Sequence, residues 1–264
     1  MNTSKKEIEA LRIVILVCLS FSFVSCGGGS VGASAASTLG NGLIHEWKFD
    51  GDTTDSVGTL NGTAVGPVTY VKGAIGQAIV LNGSTTGVNV PAATDIQFQK
   101  SFSITAWAAL YTYPAPSQGA SSIIFDGDDR NGLDPYSLMV LPYGNLQFGL
   151  DGASQPNAGI DIWGTMPLNK FVCIVATYDQ PSGAMRLYEN GVLTSENLFN
   201  STLTPVVPLD PGSNPGVGIG TNNSFPDSYV NYGFNGAIDD LRIYNRALAA
   251  SEVQALYRQG LAGQ

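Results

Sequence analysis

The chain is poor in the groups that carry most enzyme chemistry. Histidine occurs once in 264 residues, as His45, and cysteine three times. Charged residues make up only 12% of the sequence, against roughly 25% in an average globular protein. A Ser/His/Asp triad would have to use His45, which stands in a strand-like segment where packing explains it better. Zinc chemistry has too few His and Cys ligands, and no Gly-rich phosphate loop with its lysine occurs. Lys and Arg number 12 against 21 acidic residues, for a formal net charge of −9. With no basic cluster in the body, this balance argues against nucleic-acid binding and leaves cation binding open.

The scarcity of cysteine in the body becomes clear once the N-terminus is set aside. Lys5, Lys6 and Arg12, diluted by Glu7 and Glu9, precede an apolar run from Ile13 to Val24 that is too short to span a bilayer comfortably. Residues 1–25 therefore read as a signal peptide. Phe23-Val24-Ser25-Cys26 resembles the lipobox of bacterial lipoproteins, in which the Cys is acylated, although Phe departs from the usual Leu. Cys26 is the expected lipid attachment, ordinary signal cleavage being the alternative. The GGGSVGASAAS run then makes residues 26–41 a flexible linker. The expected location is the bacterial cell envelope or surface, held to a membrane by the lipid. Only Cys173 remains beyond the linker, so no intrachain disulfide forms there, and Cys173 in FVCIVATY reads as a small strand hydrophobe.

What is abundant is glycine, 32 residues, and short apolar segments. LIHEWKFD alternates from Leu43, the period-2 signature of a strand with one wet face. PVTYVKG, GQAIVLNG, TGVNVP and SFSITAWAAL follow, the last placing Phe102, Ile104, Ala106 and Ala108 on one face. YSLMVLP and LQFGLDG join across Tyr143-Gly144-Asn145, and Asn190-Gly191 turns AMRLYE into VLTSEN, a strong hairpin signal. Helical periodicity appears only near the end, at Val253, Leu256 and Tyr257. That helix lacks a good N-cap: Ala249 stands three residues before Glu252, where Ser would complete a capping box. The fold expected is all-β, a two-sheet antiparallel jelly-roll sandwich with a short C-terminal helix over residues 42–260.

One segment demands an explanation. FNGAIDDLRIYNRAL reads as a final strand, yet Asp239 and Asp240 lie in its apolar middle, and a carboxylate that is even half buried must find cations or donors. Arg242 or Arg246 is one source of positive charge, and a bound Ca²⁺ the other. Asp126, Asp128 and Asp129 before Asn131-Gly132 suggest a Ca²⁺ loop, but Arg130 falls where an oxygen donor is wanted, so the loop reads as solvated.

In order, LIHEWKFDGDTTDSVG, GQAIVLNG, SFSITAWAAL, FVCIVATYDQPSGAMRLYENGVL and FNGAIDDLRIYNRALAASEVQALY resemble the successive motifs of LamG-like jelly-roll domains, within the concanavalin A-like lectin/glucanase superfamily. The resemblance implies that first and last strands lie near one another. It also implies a structural calcium ion held by Asp239, the carbonyl of Gly83 and the segment around Asp50. It further places Thr105 and Val175 where the similarly folded pentraxins carry a disulfide, which is missing here. The glucanase branch sets two carboxyl groups on one strand about 5 Å apart, and that motif is missing too: beyond the leader the glutamates are Glu46, Glu189, Glu196 and Glu252.

The function expected is therefore noncatalytic: a surface-tethered module whose partner is a carbohydrate or cell-surface glycan. Aromatic faces would stack on sugar rings while Asp and Asn bond the hydroxyls. Trp107, Trp163 and Tyr143 are the candidate ligand-binding residues, each in competition with core packing, and Trp47 looks most like core. The alternatives are an envelope domain with a structural or protein-interaction role and no glycan affinity, and a divergent glycoside hydrolase.

Overall fold

The computed structural model describes residues 36, 38–98, 100–126, 135–150, 160–198, 216–222 and 232–263. The expected signal peptide, Cys26 and the Asp128–Asp129 loop lie outside them. In chain order the strands are β1 (Leu43–Trp47), β2 (Thr63–Val65), β3 (Thr69–Lys72), β4 (Gln77–Asn82), β5 (Gly87–Val90), β6 (Phe102–Leu110), β7 (Ser121–Asp126), β8 (Tyr136–Val140), β9 (Asn145–Leu150), β10 (Ile160–Thr165), β11 (Val172–Asp179), β12 (Ala184–Glu189), β13 (Val192–Leu198), β14 (Val217–Ile219) and β15 (Asn235–Tyr244), followed by helix α1 (Ala250–Gly263). They form two antiparallel sheets, one ordered β13-β12-β11-β6-β15-β4-β3 with β1 also on β15, the other β10-β9-β8-β7-β14-β5-β2. This is the jelly-roll sandwich expected from the strand pattern.

The alternation within each strand decides which residues meet between the sheets. Phe102, Ile104, Ala106, Ala108 and Leu110 of β6 join Val172, Ile174 and Ala176 of β11, and Ile238, Leu241 and Ile243 of β15, in the main core. The second sheet answers with Ile124, Leu138, Leu146, Phe148, Ile162 and Ile219. First and last strands do meet, Trp47 lying opposite Leu241 and Glu46 opposite Arg242. Val175 pairs with Thr105 across β11 and β6, so the two positions matched to the pentraxin disulfide are indeed cross-strand neighbours. Cys173 is buried and free, and burial pushes its thiol up to about 12.

A second, smaller core lies outside the larger sheet, where α1 covers it. Trp107, Cys173, Val175 and Tyr244 on the sheet pack with Val253, Ala255 and Leu256 of the helix and with Leu248 just before it. Leu39 joins them, 5% exposed, so residues expected to end the linker are part of the packed body. The helix start, which looked uncapped, is completed from two directions. Glu252 accepts the Ala249 N–H at 2.9 Å, and its other oxygen accepts the Thr38 hydroxyl at 2.6 Å. Arg246 donates to both carboxylate oxygens of Glu252, at 2.7 and 2.8 Å, and to the carbonyls of Thr38 and Asn41.

Burial alone would raise the Glu252 pKa, but the bonds from Arg246, Thr38 and the Ala249 amide outweigh it and hold the group at about 2, below its ordinary 4.5. A depressed carboxylate stabilises the fold above its unfolded pKa and loses that contribution as pH falls through the folded one. The wild type should therefore lose stability between about pH 4.5 and 2. Glu252→Gln should show a shallower acid-side decline in chemical denaturation, and at pH 7 should be less stable by about 2–3 kcal/mol. Parallel acid-side profiles for the two proteins would remove this role from Glu252.

Candidate functional site

Two regions hold the groups singled out from the sequence, and both are set by β15 or by the free face of the smaller sheet. In β15 the register against β6 slips between Asp239, opposite Trp107, and Arg242, opposite Thr105. The extra residue is Asp240, with φ of 49°, a left-handed conformation that Asp tolerates better than most side chains. This bulge turns both carboxylates to the outer face of the larger sheet. Asp240 is paired there with Arg242, whose Nη2 lies 2.9 Å from its Oδ2. The same guanidinium reaches Glu46 of β1 at 2.9 Å, and Lys48 stands 3.7 Å from that glutamate. Arg242 is thus the cation for Asp240, while Arg246 serves Glu252.

Asp239 has no such partner. It is fully buried, its Oδ2 accepts the Ile75 N–H at 2.8 Å, and its Oδ1 makes no hydrogen bond. Burial, aided by the neighbouring Asp240 and Asp50 carboxylates and opposed by the Ile75 and Ala74 amides, pushes its pKa up to about 8. The turn beneath it, between β3 and β4, carries no side chain at its two ends. A Cβ on Gly73 would strike Asp239, and one on Gly76 would strike Asp50, whose Oδ1 accepts the Gln77 N–H at 2.6 Å. Asp239 and Asp50 are therefore brought to one turn. Gly83 is not: Asn82 lies opposite Asn235 and Ile79 opposite Ile238, which sets Gly83 five strand residues, about 17 Å, from Asp239. The nomination of Gly83 is corrected to the Gly73–Gly76 turn at the other end of β4. Among the described residues no group of three or more His, Cys, Asp or Glu side chains converges for a metal.

The three aromatic candidates part company. Trp107 is 3% exposed beneath α1, stacked on Tyr257 at 5.8 Å; Gly260 approaches so closely that a Cβ there would collide with the indole. The helix thus removes Trp107 from any ligand surface. Trp163 is 46% exposed on the outer face of β10, its neighbour Ile162 pointing into the core. It lies opposite Gln147, with Met139 next across the sheet. In the adjacent row Gly149 stands between Asp161 and Ser137. A Cβ at Gly149 would sit 2.8 Å from the Asp161 carboxylate and 3.0 Å from the Ser137 hydroxyl, so both polar groups line the bare backbone. Tyr143 is 82% exposed in the β8–β9 turn. Sequence reasoning missed Tyr113, 40% exposed, which belongs to no regular pattern.

His45 is a core histidine. Its Nδ1 bonds Asp55 at 2.7 Å and its Nε2 lies 3.3 Å from Asp95, with its ring stacked on Trp47. Asp55 in turn accepts backbone N–H groups of Glu46, Gly58 and Leu60. The pair fastens the loop after β1.

A laminin G family model, described as concanavalin A-like lectin/glucanases superfamily, matches residues 82–254. The chain belongs to that superfamily. Among solved structures of this fold, domain 4 of AbnA, a GH43 extracellular arabinanase from Geobacillus stearothermophilus in complex with arabinotriose, is 24% identical with a TM-score of 0.61, over 81% of this chain and 98% of its own. The receptor binding domain of the botulinum neurotoxin C/D mosaic serotype is 14% identical with a TM-score of 0.64, over 83% of this chain and 52% of its own. The binding domain of botulinum neurotoxin DC, solved with SialylT, is 17% identical with a TM-score of 0.63, over 88% and 52%. The chain thus spans about half of the toxin binding domains, and at these identities the likeness to solved structures concerns the fold. No curated protein sequence matches it. Within the superfamily, the outer faces of the two sheets differ here in one respect that matters: α1 covers part of the larger sheet's outer face, while Trp163 is exposed on the smaller one's.

Proposed function

We propose that this chain is a noncatalytic carbohydrate-binding module at the bacterial cell surface. The observation that carries the reading is Trp163, kept exposed on the outer face of β10 beside Asp161 and Gln147. An indole presents a flat apolar surface to the C–H face of a sugar ring, and the neighbouring carboxylate and amide match ring hydroxyls as acceptors and donors. Domain 4 of the arabinanase, solved with arabinotriose, and a toxin binding domain solved with SialylT support sugar binding as a use of this fold. The placement of the four body glutamates supports a noncatalytic role. Glu46 is tied to Arg242, Glu252 to Arg246, Glu196 to Arg186 and Glu189 to Thr165, whereas glycoside hydrolysis needs two carboxyl groups free to face the scissile bond.

Gel retardation by soluble neutral polysaccharides tests this reading. Trp163→Ala should lose retardation while melting within a degree or two of the wild type, since an exposed side chain contributes little to stability. Equal retardation of the two proteins would move the site away from β10.

The same reading assigns a calcium ion to Asp239 and Asp50. The unpaired Oδ1 of a fully buried carboxylate, with a second carboxylate at the same turn, fits a hard cation in kind, the remaining ligands being neutral oxygens such as main-chain carbonyls. The ion would replace the proton that burial otherwise favours on Asp239 and would hold β15 to the β3–β4 turn. By linkage, free Ca²⁺ at 100-fold its dissociation constant adds about 2.7 kcal/mol. The melting temperature of the wild type should rise on adding Ca²⁺ and fall with EDTA, whereas Asp239→Asn should melt like the EDTA-treated wild type in both. A wild type indifferent to Ca²⁺ and EDTA would refute the site.

The tether is proposed to be a lipid on Cys26, because basic, apolar and small-Cys blocks occur in the order that lipoprotein processing requires. Cys26→Ala should shift the protein from the membrane to the soluble fraction. An unmodified N-terminus elsewhere, by mass spectrometry, would exclude the anchor.

A further inference from the structure

All the strongly exposed aromatic side chains among the described residues, Tyr113, Tyr143 and Trp163, gather around one corner of the sandwich. The corner is the β8–β9 turn, closed by the Leu141 N–H on the Asn145 carbonyl at 2.8 Å and tied to the end of β10 by the Met166 N–H on the Gly144 carbonyl at 2.8 Å. Asn145 pairs with Thr165, two residues from Trp163 on the same face. Tyr113 arrives from the chain after β6 and lies against Gly144, where an added Cβ would sit 2.6 Å from its ring.

Tyr143 is the informative member. Its φ is 70°, a conformation that a bulky side chain adopts at a cost on the order of 1 kcal/mol and that Gly or Asn would adopt with less strain. A ring 82% exposed returns almost no burial energy to offset that strain. Neither the backbone nor the core explains a tyrosine here, so its ring is held out for something beyond the chain.

The spacing says what kind of ligand. Trp163 lies opposite Gln147, four residues from Tyr143, so the two rings are separated by on the order of 10 Å along the strands. One sugar ring cannot touch both. We infer, building on the carbohydrate reading above, that the corner is a two-platform site for a chain of several sugar rings. Trp163 forms the first platform, and Tyr113 and Tyr143, set about the bare backbone of Gly144, form the second. The ligand runs along β9 and β10 and off the end of the sheet. Asp161 beside the first platform and the net charge of −9 select a neutral glycan over a polyanionic one.

Tyr113→Ala, Tyr143→Gly and Trp163→Ala are compared in the full chain by retardation in arabinan, xylan and laminarin gels, then by competition with the mono- and trisaccharide of the polymer that retards. Each variant should bind about tenfold more weakly, as truncation of a central aromatic contact costs above 1 kcal/mol. Tyr143→Gly should melt at or above the wild-type temperature, the signature of a residue retained against the interest of the fold. The trisaccharide should displace the polymer where the monosaccharide does not. Loss with Trp163→Ala alone, the two tyrosine variants and the monosaccharide behaving as at a one-ring site, overturns the second platform and leaves the carbohydrate reading standing. Absence of retardation of the wild type in every polymer defeats both.

Discussion

The constraint on which this sandwich turns is electrostatic: two adjacent carboxylates sit in the middle of its central strand. β15 pairs with β6 along one edge and with β4 and then β1 along the other, so nothing in the larger sheet can shift without moving Asp239 and Asp240. An ion moved from water to a protein interior is penalised by several kcal/mol unless a partner meets it. The bulge at Asp240 is the backbone's answer. It adds one residue on the outer face, so that Asp240 and Arg242 share that face while Leu241 still reaches the core. Arg242 then recruits Glu46, and through it the first strand, into one buried ionic row. Asp239, one step earlier, receives amide hydrogens from the β3–β4 turn and no cation from the chain.

That asymmetry explains how much of the site could be read in advance. A pair of aspartates in an apolar strand announced a need for positive charge, and the structure answers it differently at the two positions. The sequence could not say which arginine would serve. Arg242 and Arg246 are four residues apart, and only the bulge puts Arg242 beside Asp240 while Arg246 swings to the helix start. Gly83 was chosen at the wrong end of β4 for a similar reason. Glycine flanks that strand at Gly76 and at Gly83, and antiparallel register alone decides which of them meets the carboxylates.

Strand identity and inward faces were legible because alternation over six to ten residues fixes both, as Phe102 through Leu110 show. What alternation cannot tell is whether the other face is wet. Trp107 was correctly placed opposite to Ile104 and Ala106, yet its face is roofed by a helix that meets it through Gly260, more than 150 residues away. Glu252 gave a comparable lesson, for its capping partner is the hydroxyl of Thr38, in a segment whose glycine- and serine-rich approach reads as linker. Tyr113 carried no periodic signal at all and became visible only when the bare Gly144 was found beneath it.

The two outer faces of the sandwich consequently do different work. On the larger sheet the helix, the Arg246–Glu252 clamp and the Arg242 network use up the available charge and apolar surface, and residues 38–41 enter the body on that side. Most of the glutamates are consumed there or in the hairpin salt bridge of Arg186 and Glu196. On the smaller sheet the outer row around Trp163 is left with the half-buried Gln147 and Asp161 beside exposed rings. Flat apolar platforms beside hydrogen-bonding groups are what the proposed polyhydroxylated ligand would require. Leu39 and Trp163 thus lie on opposite outer faces, separated by the core that the alternating strands build between them.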